Sequence, residues 1–369
     1  MTQQHAATAL LQAALRRRLL SMKEALSLRH VLAGCDADPQ AIRSRLAHNP
    51  EQVSAETVQA LRDLLPTASQ ENSLENSPSN SSNYRRLALL GRGASGHTWL
   101  GIGKHGLAVL KTIDAALVPH PNDFVTTLAP LVGGEHRYLV NYIAIESGSD
   151  GTVTIIQRYR PGRDAAQRCL IKGEASEARA LNLLRHAAKG LAQLHHLGCV
   201  HGNLKPQNLL LDSDGFVALS DFSCAATTHG PRLEWTPQRL QNMAFTAPET
   251  CAAQPRSGPA ADIYALGCIG YWLLSGEPPF AGTPERQALQ HASADRPDVR
   301  IKAPGVSDIT AKTLLKALQI DLAARYTNAR AFVHSLERNL DLLERPQKDM
   351  DKKEHHDVGA SSLMLNEPD

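Results

Sequence analysis

Apolar positions along the chain fall into three textures. In residues 1–66, Leu10, Leu11, Leu15, Leu19, Met22 and Leu26 recur mostly at three- and four-residue steps, the spacing that lines one face of a helix. Breaks near Gly34, at Pro39 and at Asn49-Pro50 divide this stretch into three short helices. From Tyr84 to about Arg160 the apolar segments are short: Leu87–Leu90, His97–Ile102, Leu107–Ile113, Leu139–Ile145 and Thr152–Tyr159, each predicting a strand. From Ala175 onward helical periods take over, as in Ala178–His196, Tyr264–Ser275 and Ile309–Leu318. The pattern predicts an α+β molecule: a small helical module, a sheet-rich lobe, then a larger helical lobe divided from it near residue 160.

Two segments carry no such pattern. Residues 67–83 hold six Ser and four Asn among 17 positions and almost nothing apolar, so they cannot bury enough surface to offset their ordering entropy and are expected to be a flexible linker. Residues 344–369 mix seven acids with four bases and are expected to be a disordered charged tail, with Leu363-Met364-Leu365 a conceivable docking peptide. For the module at 1–66 two roles stay open, a packing appendage and a partner-docking unit, because an apolar stripe alone names no ligand.

Composition narrows the class further. The 369 residues are 42% hydrophobic and 21% charged, a globular balance in a chain longer than the ~250–300 residues at which single cores stop growing. Thirty-nine Lys and Arg against 37 Asp and Glu give +2, which suggests neither a nucleic-acid nor a membrane footprint. The run from Tyr264 to Leu274 is 11 residues, short of the ~20 that span a bilayer. The six cysteines are scattered without a C-x-x-C pair, so no disulfide or zinc framework is expected and a reducing, cytoplasmic setting fits. Arg16, Arg17, Arg18 and Lys23 precede any acid in the manner of a transit peptide, but the leucine stripe runs on past Glu24 as an ordinary helix would.

Chemistry enters with glycines. Gly91, Gly93 and Gly96 sit between two strand segments, a hairpin whose backbone N–H groups could approach phosphate oxygens. Lys111 ends the apolar strand Ala108-Val-Leu-Lys111, where an ammonium either reaches outward or meets an anion in a cleft. Neither is specific alone. Further on, His201-Gly-Asn203-Leu-Lys205-Pro-Gln-Asn208 follows a helix and precedes Ser220-Asp221-Phe222-Ser223; then come Ala247-Pro248-Glu249, Asp262-Ile-Tyr-Ala-Leu-Gly267, Gly276-Glu-Pro-Pro-Phe280 and Arg325.

In this order and spacing the motifs resemble the protein-kinase superfamily, from about Tyr84 to Leu340, in the manner of the eukaryotic-like serine/threonine kinases found in bacteria. The resemblance implies the bilobal kinase fold over 84–343, with the N-lobe at 84–160 and the C-lobe at 161–343. It also implies ATP and Mg²⁺ as cofactors. Gly91, Gly93 and Gly96 would cover the phosphates, Lys111 would hold the α- and β-phosphates, and Gln157 and Tyr159 would line the adenine pocket. Asn208 and Asp221 would hold the metal; His201, Asn203 and Lys205 would form the catalytic loop, with Lys205 on the γ-phosphate. Glu249 and Arg325 resemble the buried pair that anchors the activation segment, in which Thr227, Thr228 and Thr236 would lie.

The departures concern catalysis. His201-Gly202-Asn203 stands where the family has His-Arg-Asp; an amide accepts a hydrogen bond but takes no proton, removing general-base help worth ~10²–10⁴ in rate. The arginine that usually reads a loop phosphate is absent too. Thr127 occupies the position expected to supply a helical glutamate to Lys111, with Asp123 and Glu135 the nearest acids. Ser223 replaces the usual glycine, and Asn242 falls where a threonine is expected.

Three functions follow from the resemblance: a nucleotide-binding pseudokinase with a regulatory or scaffold role, a slow serine/threonine kinase acting on protein hydroxyls, and, from the His-Gly-x-Leu pattern at 201–204, a small-molecule phosphotransferase. A protein partner or substrate is expected, with 1–66 one place to receive it.

Overall fold

A computed structural model describes residues 84–344 apart from 94–95, 119, 161, 173–174, 213, 223–225, 228–242 and 252–257. Before them it describes 39–47 and the single positions Leu10, Leu11, Ala14, Leu28, Leu32, Leu61 and Leu65. The expected linker at 67–83 and the expected tail beyond Glu344 lie outside the described residues, as do Ser223, Thr228, Thr236 and Asn242.

Of the three helices expected in 1–66, helix α1 (Pro39–Ala47) is described. It begins at the proline that marked a break, as the fixed φ and missing N–H of proline allow at a first helical position. Strands β1 (Tyr84–Gly93), β2 (Gly96–Gly103) and β3 (Gly106–Ile113) follow, then helix α2 (Pro121–Leu128), β4 (Tyr142–Ser147) and β5 (Val153–Arg158). The five strands form one antiparallel sheet in the order β1-β2-β3-β5-β4. The segment expected as a strand from Leu139 begins three residues later. Leu139 instead bridges to Leu219, and the Val140 N–H donates to Leu219 O at 2.8 Å, so this stretch stitches the sheet to the helical body before β4 starts.

Side chains alternate across a strand, so register assigns each face. Leu100 pairs with Val109, Ile102 with Leu107, Val109 with Gln157 and Lys111 with Ile155, which places these residues on one face; Trp99, Ala108, Leu110 and Ile156 occupy the other. Ile155 belongs to the large core shared with the helices. Nearer the β2–β3 turn the same face is covered by Leu10, Leu28, Leu32, Leu46 and Leu61, which are buried with Leu87, Ala88 and Leu100. The described leucines of 1–66 are thus buried against the sheet.

The helical lobe contains β6 (Arg163–Asp164), α3 (Ala165–Lys172), α4 (Glu177–His196), β7 (Cys199–Val200), β8 (Leu209–Leu211), β9 (Val217–Leu219), β10 (Ala226–Thr227), α5 (Pro259–Ser275), α6 (Pro284–Ser293), α7 (Asp308–Ala317) and a final helix α8 at 329–344. Strands β6-β8-β9 form one small sheet and β7-β10 another. Helix α4 buries Leu181, Leu184, Ala188 and Leu191, a stripe at helical spacing. Helix α5 is buried almost all round, as an apolar helix at the centre of a lobe must be. Helices α3 and α6 were not read from the pattern: they have eight and ten residues, which give few turns over which a period can show.

Candidate active site

The loop from His201 to Asn208 is held from below by one carboxylate. Asp262, in the first turn of α5, accepts the backbone N–H of His201 and of Gly202, both at 2.9 Å, and lies 2.8 Å from His195 Nε2. A charge buried inside an apolar helix requires such partners, and they fix the loop's backbone. Gly202 has φ +70°, a conformation glycine adopts without the strain a Cβ would bring.

His201 stands apart from the other candidate residues. Its ring is fully buried and packs edge-on against Phe222, with centroids 5.1 Å apart. Nε2 lies 3.1 Å from Ser220 O, and Nδ1 accepts the Asn203 N–H at 3.4 Å. That pattern fits a neutral ring with its proton on Nε2, and burial lowers the imidazole's pKa accordingly. The described ring hydrogen bonds of His201 are thus with the backbone of the loop and of Ser220, and its ring is buried away from the cleft surface.

Asn208 ties the loop to the strand pair β8–β9. Its Nδ2 donates to Asn203 O at 2.7 Å, and its own carbonyl accepts the Ser220 N–H at 3.0 Å and the Ser220 hydroxyl at 3.2 Å. With Nδ2 committed, Oδ1 is the side-chain atom able to accept a cation. Asp221 follows directly at φ +66°, the one non-glycine with positive φ among the described residues. Residues held in that region cluster at functional sites. Its carboxylate Oδ1 accepts Lys111 Nζ at 2.5 Å, with the two side chains 17% and 26% exposed. The pair is thus within reach of solvent.

Thr127 lies near the end of α2 with its hydroxyl donating to Asp123 O at 2.8 Å, and Asp123 and Glu135 are exposed. Above the pair, β1 and β2 join at Gly93 and Gly96, which are cross-strand partners. Gly96 has φ +128°, and a Cβ there would lie 2.2 Å from Thr112 O; at Gly91 a Cβ would meet nothing within 4 Å. Gly96 is thus packed closely on β3, while the space beside Gly91 is open. Gln157 lies on the Lys111 face opposite Val109, and the Tyr159 N–H donates to Leu107 O at 3.1 Å. Lys205 caps the turn at Pro206–Asn208, its carbonyl accepting the Asn208 N–H at 2.9 Å.

The donor set suits a magnesium-bound polyphosphate: carboxylate and amide oxygens for a hard cation, an ammonium beside them, and a glycine-rich hairpin. The sequence did not single out Asp262 as the holder of the loop, although a lone acid in the apolar run from Ala260 to Leu274 was the available signal. Nor did it single out Tyr142, discussed below, for which a tyrosine in a strand gave none.

A family model described as "Protein kinase domain" matches residues 84–336. The chain is 30% identical over 266 residues to the serine/threonine-protein kinase PknJ of Mycobacterium tuberculosis, covering 68% of this chain and 44% of that protein. It is 28% identical over 256 residues to the serine/threonine-protein kinase PkaB of Streptomyces coelicolor, covering 66% and 60%. With PrkC of Bacillus subtilis it shares 30% identity over 184 residues, 49% of this chain and 28% of that one. The chain thus spans less than two thirds of the length of these relatives.

Proposed function

The chain belongs to the protein kinase family, and on that premise we propose that it is an ATP-binding, serine/threonine-kinase-like protein with impaired phosphoryl transfer, a pseudokinase with a regulatory or scaffold role. The observation that carries this reading is an asymmetry within one site. Lys111 meets Asp221 and Asn208 is locked by its Nδ2, which supports a cation-and-phosphate role for these residues, while the residue at the expected proton-accepting position is the amide Asn203.

In this reading Asn208 and Asp221 hold Mg²⁺, Lys111 and the Gly91–Gly96 hairpin hold the phosphates, and Gln157 and Tyr159 border the base. Bound MgATP would supply the transferable phosphoryl group and the charge neutralisation on which such transfer mostly depends. Lys205 would orient the terminal phosphate. Asn203 can orient a substrate hydroxyl but leaves its proton in place. The names of the relatives support a protein hydroxyl as the acceptor class, and the Glu249–Arg325 pair, with its guanidinium buried, supports the protein-kinase reading over the small-molecule one. The cytoplasmic location expected from the sequence belongs to this proposal, in keeping with Cys169, Cys199, Cys251 and Cys268, which form no disulfide. Among the described residues no helix is long and apolar enough to cross a membrane.

The second reading, a slow active kinase, is favoured by the pre-assembled Lys111–Asp221 pair, since positioning alone retains part of the rate enhancement. Transfer of labelled γ-phosphate from MgATP, to the protein itself and to a basic acceptor, separates the two. The pseudokinase reading expects no label from wild type and label from Asn203→Asp, a gain of ~10²–10⁴. Label from wild type that Lys111→Ala abolishes would establish the slow kinase instead. Absence of any MgATP-induced rise in melting temperature would remove nucleotide binding altogether.

A further inference from the structure

Asp221 is suspended between two clamps. On its N-terminal side Ser220 is bound through N–H and hydroxyl to Asn208 O, and its carbonyl faces His201 Nε2, so the catalytic loop holds that end. On its C-terminal side the Phe222 N–H donates to the Tyr142 hydroxyl at 3.2 Å. The Phe222 ring lies between Tyr142, at 5.4 Å centroid to centroid, and His201 at 5.1 Å. Tyr142 is among the largest fully buried side chains. Its backbone is tied as firmly: its carbonyl accepts the Gly133 N–H at 2.9 Å, and it bridges to Val132 just beyond α2. The register of β4 against β5 then shifts between Tyr142 and Ala144.

A left-handed aspartate persists only where its surroundings over-determine it. We infer that Tyr142 is a positioning residue for the cation-and-phosphate half of the site, its hydroxyl fixing the Phe222 amide and so holding Asp221 in the conformation that turns its carboxylate to Lys111. Burial, with Asp221 nearby, pushes the Tyr142 phenol well above its ordinary range, so the group facing Phe222 is a neutral hydroxyl. Tyr142 reaches across to the strained turn, so that β4 and the segment at Val132–Gly133 after α2 bear on where Asp221 points.

The consequence for nucleotide rests on the reading that Asn208 and Asp221 receive a metal, whereas the consequence for the Phe222 amide does not. Tyr142→Phe keeps the ring and removes the hydroxyl. In the full chain, hydrogen exchange at the Phe222 amide is expected to accelerate about tenfold, in line with the loss of one buried hydrogen bond, while amides in the middle of α4 keep their wild-type rates. Unchanged exchange at Phe222 would overturn the inference. So would equal acceleration in α4, which would mark general loosening.

The second arm measures ATP binding with Mg²⁺ and with chelator. Tyr142→Phe is expected to weaken MgATP binding several-fold and to leave metal-free ATP binding as it was, because the hydroxyl acts through the metal ligand. A loss that is the same with and without metal, or no loss in either, would overturn the role in positioning Asp221. If the wild-type chain binds no MgATP, the nucleotide reading falls, and the exchange result decides by itself whether Tyr142 holds the turn.

Discussion

Lys111–Asp221 and Arg325–Glu249 are both ion pairs of a long basic side chain with a carboxylate distant in sequence, and both join elements that the motifs singled out. They are built differently. Arg325 meets Glu249 with two parallel bonds of 2.7 and 2.8 Å, and its remaining N–H groups go to the carbonyls of Gln319, Ala260 and Ile320. Its guanidinium also lies 4.8 Å over the ring of Tyr264, and its side chain has no exposure. Lys111 and Asp221 meet through one 2.5 Å contact in a partly open cleft, next to a strained backbone. A charge pair whose every donor is satisfied by protein is part of the fold. On the proposed function, the partly exposed pair beside the strained backbone is the one placed to meet a ligand.

The sharpest way to break that comparison is to remove the cation from each pair. Arg325→Ala leaves the Glu249 carboxylate, the Tyr264 face and three carbonyls without their partner, and is expected to cost ~3–5 kcal/mol, the range for breaking a buried pair, read from urea unfolding. A loss well under that range would show that Glu249 finds water and that the anchor is not structural. Lys111→Ala should leave the unfolding midpoint near wild type and instead remove most of the MgATP-induced stabilisation, which for an intact site is ~2.7 kcal/mol at a hundredfold excess of ligand over Kd. If Lys111→Ala unfolds the chain as readily as Arg325→Ala, the distinction between the two pairs fails.

Acid sharpens the comparison on the anchor's side. His291 lies 2.7 Å from the hydroxyl of Tyr264, the residue under Arg325, and its pKa is lowered to about 4, by burial first and by Arg296 second. The unfolded chain would take up this proton near pH 6.5. Between pH 6.5 and about 4 the unfolded state therefore binds a proton that the folded state refuses, and stability is lost as pH falls. Urea midpoints are expected to decline over that window, with His186, also at about 4, contributing in the same sense. His291→Gln should flatten the decline; an equally steep decline in that variant would assign it elsewhere.

What was legible follows from how local each signal is. The hairpin glycines, Lys111, the loop from His201 to Asn208 and Asp221 are contiguous motifs, and the chain needs them at fixed spacing because one backbone turn supplies several groups. The partner of Lys111 was not legible in this way. The spacing pointed to Thr127 for an acid, yet α2 has only two turns and its Thr127 hydroxyl folds back on Asp123 O, so Asp221 takes the lysine across the cleft. The covering of the Lys111 face by Leu28, Leu32 and Leu46 was equally hidden, since a leucine stripe states that it will be buried without stating against what. Tyr142 acts through one hydroxyl on one amide, and no periodicity records that.

The smallest effect is expected where the distances are as short as in the anchor. Arg300 meets Asp298 at 2.6 Å and Asp308 at 2.9 Å, and Lys312 meets Asp308 at 2.6 Å, lengths that match those of Arg325 with Glu249. Asp308 is 55% exposed and Lys312 73% exposed. In water each charge exchanges one set of partners for another of nearly equal worth, and salt screens what remains. Arg300→Ala is therefore expected to leave the urea midpoint unresolved from wild type at 0.5 M salt and at most slightly lower without it. A clear loss that persists in salt would mean that this network acts as a buried one does. Bond length would then say more about the strength of an ion pair in this fold than exposure does, and the contrast between Lys111 and Arg325 would need another cause.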